Sequence, residues 1–250
     1  MPLFSLRGVS KEFLSQNGMP VAALEDVNLD VEEGEFLCLV GRSGCGKTTL
    51  LRILAGLERQ STGQAAFDGA MIAGCDPRRG MVFQDARLFL WRNVAANVAF
   101  GLEVNGTPKR ERQRLSEHYM ELVGLKEFAT AYPYELSGGM RQRVSLARVL
   151  ATNPRVILMD EPFAALDALT RNHLQEELLR LVECERKTVV FVTHSADEAA
   201  FLADRIAVFS RRPRGIGRVL DVPMPKPRRR ESPESSALKQ KIFDLIADYD

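Results

Sequence analysis

Four short stretches of this chain are almost uninterruptedly apolar: residues 36–40, 81–83, 156–159 and 189–192. Short runs of this kind are what strands buried on both faces of a parallel sheet look like. Each run ends on polar or glycine residues: Gly41, then Gln84, then Asp160 with Glu161, then Thr193 with His194. Ligands of open parallel sheets sit at the carboxyl ends of the strands. If the four runs share one sheet, these groups meet along one edge.

Between the runs the spacing turns helical. Residues 48–57 follow a Gly-rich turn, so strand, turn and helix make one half of a βαβ unit. In 167–182, Leu174, Leu178 and Leu181 recur at helical spacing behind Asp167, a good N-cap. Ser195-Ala196-Asp197-Glu198 is a capping-box pattern that opens a helix through Leu202. Residues from about 85 to 153 read mostly helical, as an insertion in an α/β core that Asn153-Pro154 stops. The first 35 residues differ: 3–13 and 21–31 read as strands broken by Ser15-Gln16-Asn17-Gly18, predicting a small antiparallel sheet. After about residue 220 the chain is rich in Pro and Arg and ends in an apolar-periodic segment, 238–246, predicting a short helix.

Composition narrows the class. A chain of 250 residues with 45% hydrophobic content buries a sizeable core as one large domain or a domain with subdomains. A formal net charge of +1 points to no polyanionic partner, so nucleic acid is not expected. No apolar run approaches the roughly 20 residues that span a bilayer. Residues 1–10 lack the basic start and apolar core of a signal peptide. Cys38, Cys45, Cys75 and Cys184 show no metal-ligand spacing and read as reduced thiols of a cytosolic protein. Action at a membrane is therefore expected to run through a partner.

Gly41-Arg42-Ser43-Gly44-Cys45-Gly46-Lys47-Thr48 fits the phosphate-loop pattern completely, with Thr49 next in the helix. The glycines let backbone N–H groups turn inward around phosphate oxygens, and the following helix presents its positive end to the same anion. Lys47 is expected to reach the β- and γ-phosphates of ATP, and the Thr48 hydroxyl to ligate Mg²⁺. The strand end Asp160-Glu161 offers two carboxylates that can divide labour. Asp160 is expected to hold Mg²⁺, and Glu161 to orient and deprotonate the attacking water. Alone, such a pair is as readily an acidic surface turn; beside a complete phosphate loop the catalytic reading is preferred.

Leu136-Ser137-Gly138-Gly139-Met140 precedes a basic helix, Arg141-Gln142-Arg143, a short way before the acidic strand. This order of motifs strongly resembles the ATP-binding cassette (ABC) ATPases over nearly the whole chain. The resemblance implies an α/β fold: a P-loop NTPase (ABC ATPase) core with a parallel sheet, an N-terminal antiparallel β subdomain and a helical signature subdomain. It places the ATPase domain at 1–220, the helical subdomain at about 86–153, and a tail with a short helix at 221–250. It makes Gln84 a catalytic and Mg²⁺-touching glutamine, 136–140 the signature, Ala165-Leu166-Asp167 a further motif, and His194 the switch histidine beside Glu161. Met140 stands where the family usually has Gln. Ser137, Gly138 and Gly139 still supply the hydroxyl, the backbone donors and the helix N-terminus that an anion needs.

Met140, residues 88–97, Glu135 and the Pro/Arg-rich stretch at 223–233 are similar to the nitrate, sulfonate and taurine branch of ABC importers. That implies a homodimer arranged head to tail, with each ATP between the phosphate loop of one copy and Ser137, Gly138 and Gly139 of the other. It also implies two transmembrane permease subunits, an extracytoplasmic solute-binding protein, and a peripheral place on the cytoplasmic face of the inner membrane. The solute is left open among nitrate, a sulfonate such as taurine, and a pyrimidine precursor. An exporter subunit, or a soluble ABC ATPase acting on nucleic acid or ribosomes, is the alternative. The chain carries neither the long coiled-coil insertion nor the second cassette of the soluble types.

Several residues keep two readings. Phe13 resembles the aromatic that stacks on adenine in this family, or is a core aromatic of an edge strand. Leu88, Phe89, Leu90 and Trp91 are a socket for a permease helix, or simply core. Arg211, Arg212, Arg214, Arg218, Lys226 and Arg228 to Arg230 are a solvated tail, or a patch drawn to anionic lipid. Cys45, inside the loop, is expected to block ATP binding when alkylated.

Overall fold

The apolar runs become strands almost residue for residue, because each is flanked by residues that cannot enter the interior without a partner. The computed structural model describes residues 1–211 and 214–249. Arg212, in the basic stretch, and Asp250, at the end of the tail, lie outside the described residues. In chain order the first elements are β1 (Phe4–Leu14), β2 (Pro20–Val31), β3 (Phe36–Val40), α1 (Lys47–Ala55), β4 (Thr62–Phe67), β5 (Ala70–Met71) and β6 (Arg79–Val82). Next come α2 (Val94–Val104), α3 (Lys109–Leu122), 3-10 turns at Lys126–Phe128 and Pro133–Glu135, α4 (Gly138–Ala151), β7 (Val156–Asp160) and α5 (Ala168–Glu185). The chain closes with β8 (Thr188–Thr193), α6 (Ala196–Leu202), β9 (Arg205–Arg211), β10 (Arg214–Asp221) and α7 (Pro233–Asp248). These elements fall into two compact units, Met1–Asp76 with Arg186–Asp250, and Pro77–Glu185.

In the first unit, β1 pairs antiparallel with β2 on one side and β4 on the other, and β4 pairs with β5. The β1–β2 turn is closed by Gly18 N–H on the Ser15 carbonyl and Met19 N–H on the Ser15 hydroxyl. The expected antiparallel sheet therefore exists, but it gains β4 and β5. Little in Thr62–Phe67 marks a strand; register with β1 recruits it, setting Phe67 opposite Phe4 with ring centroids 5.0 Å apart. The remaining strands of this unit form a second layer. Here β3 lies parallel to both β8 and β9, and β10 pairs antiparallel with β9. Every residue of β3 and β8 is buried, as their unbroken apolar character requires.

The helix after the last parallel strand begins with half of the expected capping box. The Ser195 hydroxyl accepts the Glu198 N–H at 3.3 Å. The reciprocal arm is missing: Ser195 N–H donates to the Thr193 hydroxyl at 3.0 Å, and that hydroxyl donates to the Glu198 carboxylate.

The basic tail is not loose charge. The side chain of Arg228 is buried and donates to the carbonyls of Ala203 (2.6 Å), Phe201 (3.1 Å) and Ala200 (3.5 Å), the orphan acceptors at the C-terminus of α6. Lys226 pairs with Asp204 at 2.8 Å, and Arg230 lies 3.6 Å over the Phe201 ring. Neither the solvated tail nor the lipid patch describes these three cations; they attach the tail to α6. The terminal helix is longer than 238–246 because Ser232 caps it, accepting the Ser235 N–H at 3.1 Å, with Pro233 in the first turn.

In the second unit β6 and β7 are parallel neighbours, and α4 packs on α2, α3 and β6. Asp167 caps α5, its carboxylate accepting the Thr170 N–H at 3.0 Å, and this bond holds its pKa below the usual range. The helical stretch starts later than expected: residues 83–93 form neither helix nor strand, and α2 begins at Val94. Among the described residues no helix is long and apolar enough to cross a membrane.

Candidate functional site

The phosphate loop leaves the buried strand β3 and re-enters regular structure at Gly46, the N-cap of α1. Gly46 takes a left-handed φ of 102°, and a Cβ there would lie 2.4 Å from the Ala23 carbonyl oxygen and 2.6 Å from Leu24 Cδ2. No larger residue fits. No side chain caps α1 at Gly46, and the positive end of the helix dipole there suits an anion. Lys47 is only 5% exposed, and its Nζ donates to the Gly41 carbonyl at 2.7 Å and the Arg42 carbonyl at 2.8 Å. A buried cation and a helix N-terminus thus sit within one loop. Arg42, Ser43 and Gly44 are exposed, and Thr48 and Thr49 half-buried.

Cys45 is 1% exposed, with its Sγ 3.5 Å from Lys47 Nζ. The thiol lies under the loop rather than in its mouth, which corrects the expectation that an alkylating reagent reaches it. Phe13 is 41% exposed, with Lys11 Nζ 4.8 Å from its ring centroid. It is no core aromatic.

Strand register fixes what leaves each sheet edge. In the first unit Val40 of β3 lies opposite Thr193 of β8, so the phosphate loop and the exposed His194 start from neighbouring strand ends. In the second unit Val82 of β6 lies opposite Met159 of β7, so the exposed Gln84 and the pair Asp160-Glu161 also start side by side. Asp160 is buried; Glu161 is half-buried with a left-handed φ of 45°. That conformation costs a non-glycine residue of order 1–3 kcal/mol, and such strain concentrates at functional positions.

Ser137 is the N-cap of α4, its hydroxyl accepting the Met140 N–H at 3.2 Å. Met140 enters this cap through its backbone alone, so the departure from Gln leaves the cap intact. Gly138 and Gly139 are the first residues of the helix, and a Cβ on Gly139 would come 3.2 Å from the Ala165 carbonyl oxygen. Glu135 accepts the Tyr132 N–H at 2.6 Å, and Arg141 donates to the Leu136 carbonyl at 2.7 Å, so the approach to Ser137 is fixed from both sides.

Three supporting residues carry no sequence signal. Buried Gln142 donates to the Phe83 carbonyl at 2.8 Å, across 59 residues of chain. Arg148 donates to the carbonyls of Ala86 (3.0 Å) and Arg87 (2.9 Å), and burial lowers its pKa. Asn97, fully buried, accepts the Phe89 N–H and donates to the carbonyls of Phe89, Arg92 and Asn93.

Beyond Gln84, Leu90 and Trp91 stand 63% and 73% exposed, while Leu88 and Phe89 are half-buried. Phe89 packs on Phe100 at 4.4 Å between ring centroids. The simple core reading is wrong for Leu90 and Trp91. A groove of about 410 Å³ is lined by α2 and α3 residues including Ala95, Ala96, Ala99 and Met120. The buried Ser116 hydroxyl on its wall has no hydrogen-bond partner.

Among the described residues no group of three or more His, Cys, Asp or Glu side chains could hold a metal unaided.

Comparison with known proteins places this geometry. The sequence profile of the ABC transporter family matches residues 24–164. An uncharacterized ABC transporter ATP-binding protein of Methanocaldococcus jannaschii is 51% identical over 93% of this chain and 87% of that protein. The taurine import ATP-binding protein of Roseobacter denitrificans is 43% identical over 98% of this chain and 94% of that protein. The nitrate import ATP-binding protein of Synechococcus elongatus is 42% identical over 95% and 89%. Among solved structures, a dimeric ATP-binding cassette in a post-hydrolysis state bound to ADP and Pi is similar with a TM-score of 0.80 and 31% identity, covering 88% of this chain and 99% of that one.

Proposed function

The chain belongs to the ABC transporter family, and we propose that it is the ATP-hydrolysing subunit that energises import of a small anionic solute of the taurine, nitrate or bicarbonate kind. The observation that carries this reading is the uncapped start of α1 behind Gly46, with the buried Lys47 ammonium above it.

Gly41 to Thr49 hold the ATP phosphates, Lys47 exchanging the carbonyls of Gly41 and Arg42 for phosphate oxygens. Phe13 offers a flat apolar face to adenine. Thr48, Gln84 and Asp160 would hold Mg²⁺. When bound, Mg²⁺ neutralises charge on the phosphates during in-line displacement. Glu161 takes the proton of the attacking water, and His194 holds the γ-phosphate and the water in line.

Cassettes of this family pair, and the hydroxyl of Ser137 and the backbone of Gly138 and Gly139 close on the nucleotide of the second copy. Leu90, Trp91 and the groove beside Ser116 take a segment of each of two permease subunits. A solute-binding protein outside the cell delivers the solute, and this subunit sits peripherally on the cytoplasmic face of the membrane.

The test is Glu161→Gln. Turnover should fall by about 10²–10⁴ while ATP and Mg²⁺ trap a dimer on a sizing column. A variant that stays strictly monomeric at saturating ATP and Mg²⁺ counts against the paired site. Reconstitution with the permease, screening nitrate, taurine and bicarbonate for stimulated ATP hydrolysis, identifies the solute.

A further inference from the structure

Residues 83–93 carry Gln84 without helix or strand, and Gln84 itself is exposed, so packing does not fix its amide. What fixes the backbone on either side of it comes from one helix. Gln142 holds the Phe83 carbonyl, directly before Gln84; Arg148 holds the Ala86 and Arg87 carbonyls, just after it. Arg148 is itself steadied by the Ser145 hydroxyl at 3.5 Å and the Phe89 ring at 5.7 Å. The same helix begins at the Ser137 cap. An α-helix rises 1.5 Å per residue, so Gln142 and Arg148 stand about 8 and 17 Å along a stiff rod from Ser137.

We infer that Gln142 and Arg148 are positioning residues for Gln84, and that through them α4 sets the Gln84 amide and the Ser137 cap as one body. The inference rests on the ATPase reading above, since Gln84 has its role only there. Two side chains that grip main-chain carbonyls fix where a residue sits whatever its own side chain is. The three carbonyls have no ladder partner, so removing a donor frees the peptide rather than shifting it to another bond.

The test uses the full chain in three variants: Gln142→Met and Arg148→Met, which keep bulk and lose the donors, and Arg148→Lys, which keeps one donor. For both Met variants kcat should fall about tenfold, within the range that misplacing a catalytic group produces. KM for MgATP should change by no more than about twofold, and Arg148→Lys should recover part of the rate. Backbone amide exchange should quicken at 84–88 and stay unchanged at 41–49. In a Gln84→Ala background Arg148→Met should cost nothing further, because there is no amide left to place. Losses that simply multiply in the double variant, exchange that quickens equally in the phosphate loop, or an unchanged kcat in Gln142→Met overturns the inference. If Arg148→Met does not fold, Gln142→Met and Arg148→Lys give the same decision. A wild-type chain without MgATP turnover refutes the ATPase reading instead, and amide exchange still shows whether α4 holds the segment.

Discussion

The phosphate loop and the Gln84 segment have the same position in the chain: each follows a parallel strand and precedes a helix. They are held in opposite ways. The loop's own bonds are local, since Lys47 bonds carbonyls five and six residues away, and β2 enters only as the wall of Ala23 and Leu24 against Gly46. The Gln84 segment is held by side chains of α4 that come from 59 to 62 residues away, and by Asn97. A loop that receives one invariant group, a phosphate, can be built from local rules. The Gln84 segment is instead suspended from the rest of its unit, as suits its proposed role of answering a protein partner.

The comparison can be broken most sharply at Gly46. Gly46→Ala combines a left-handed φ with a collision against the Ala23 carbonyl, and should cost about 3 kcal/mol or more in denaturant unfolding, with loss of nucleotide binding. Full ATP affinity in that variant would mean the loop is not set by local sterics. Asn97→Ala attacks the other side. It strands the Phe89 N–H and the Arg92 carbonyl, while the carbonyls of Phe89 and Asn93 keep the backbone N–H groups of Arg92 and Asn97, and should destabilise the chain by about 2–4 kcal/mol while nucleotide affinity of the folded protein stays unchanged. Equal damage to ATP binding would erase the distinction between the two regions. The smallest effect on the free chain belongs to Trp91→Ala. Stability should move by less than about 0.5 kcal/mol with ATP affinity intact, yet the permease should co-purify less well. Unchanged co-purification would remove Trp91 from the contact surface.

The same contrast explains what could be read in advance. Strands β3, β7 and β8 are legible because burial on both faces leaves an unbroken apolar run, and Gly41 to Thr48 because the whole motif falls within eight residues. β4 is not, since Thr62 to Phe67 becomes a strand only by lying beside β1. β9 was passed over because charged residues, Arg205 and Arg211, bound its apolar centre. The capping-box pattern pairs Glu198 with the Ser195 N–H, but the Thr193 hydroxyl, two residues before the cap, accepts that N–H and donates to Glu198 instead. Arg228 looked like solvated charge because nothing local reveals that the open end of α6 lies above it. Gln142 and Arg148 belong to the same class: their donors are ordinary, and only the fold supplies the acceptors.

The burial of Cys45 has a practical side. Cys38 is also buried, its thiol pKa driven well up by desolvation, whereas Cys75 and Cys184 are exposed. The exposed pair falls one to each compact unit. The native chain thus sorts its own thiols: thiol-directed reagents will settle on Cys75 and Cys184 and leave the phosphate loop untouched, so labelling the wild-type chain should not cost nucleotide binding.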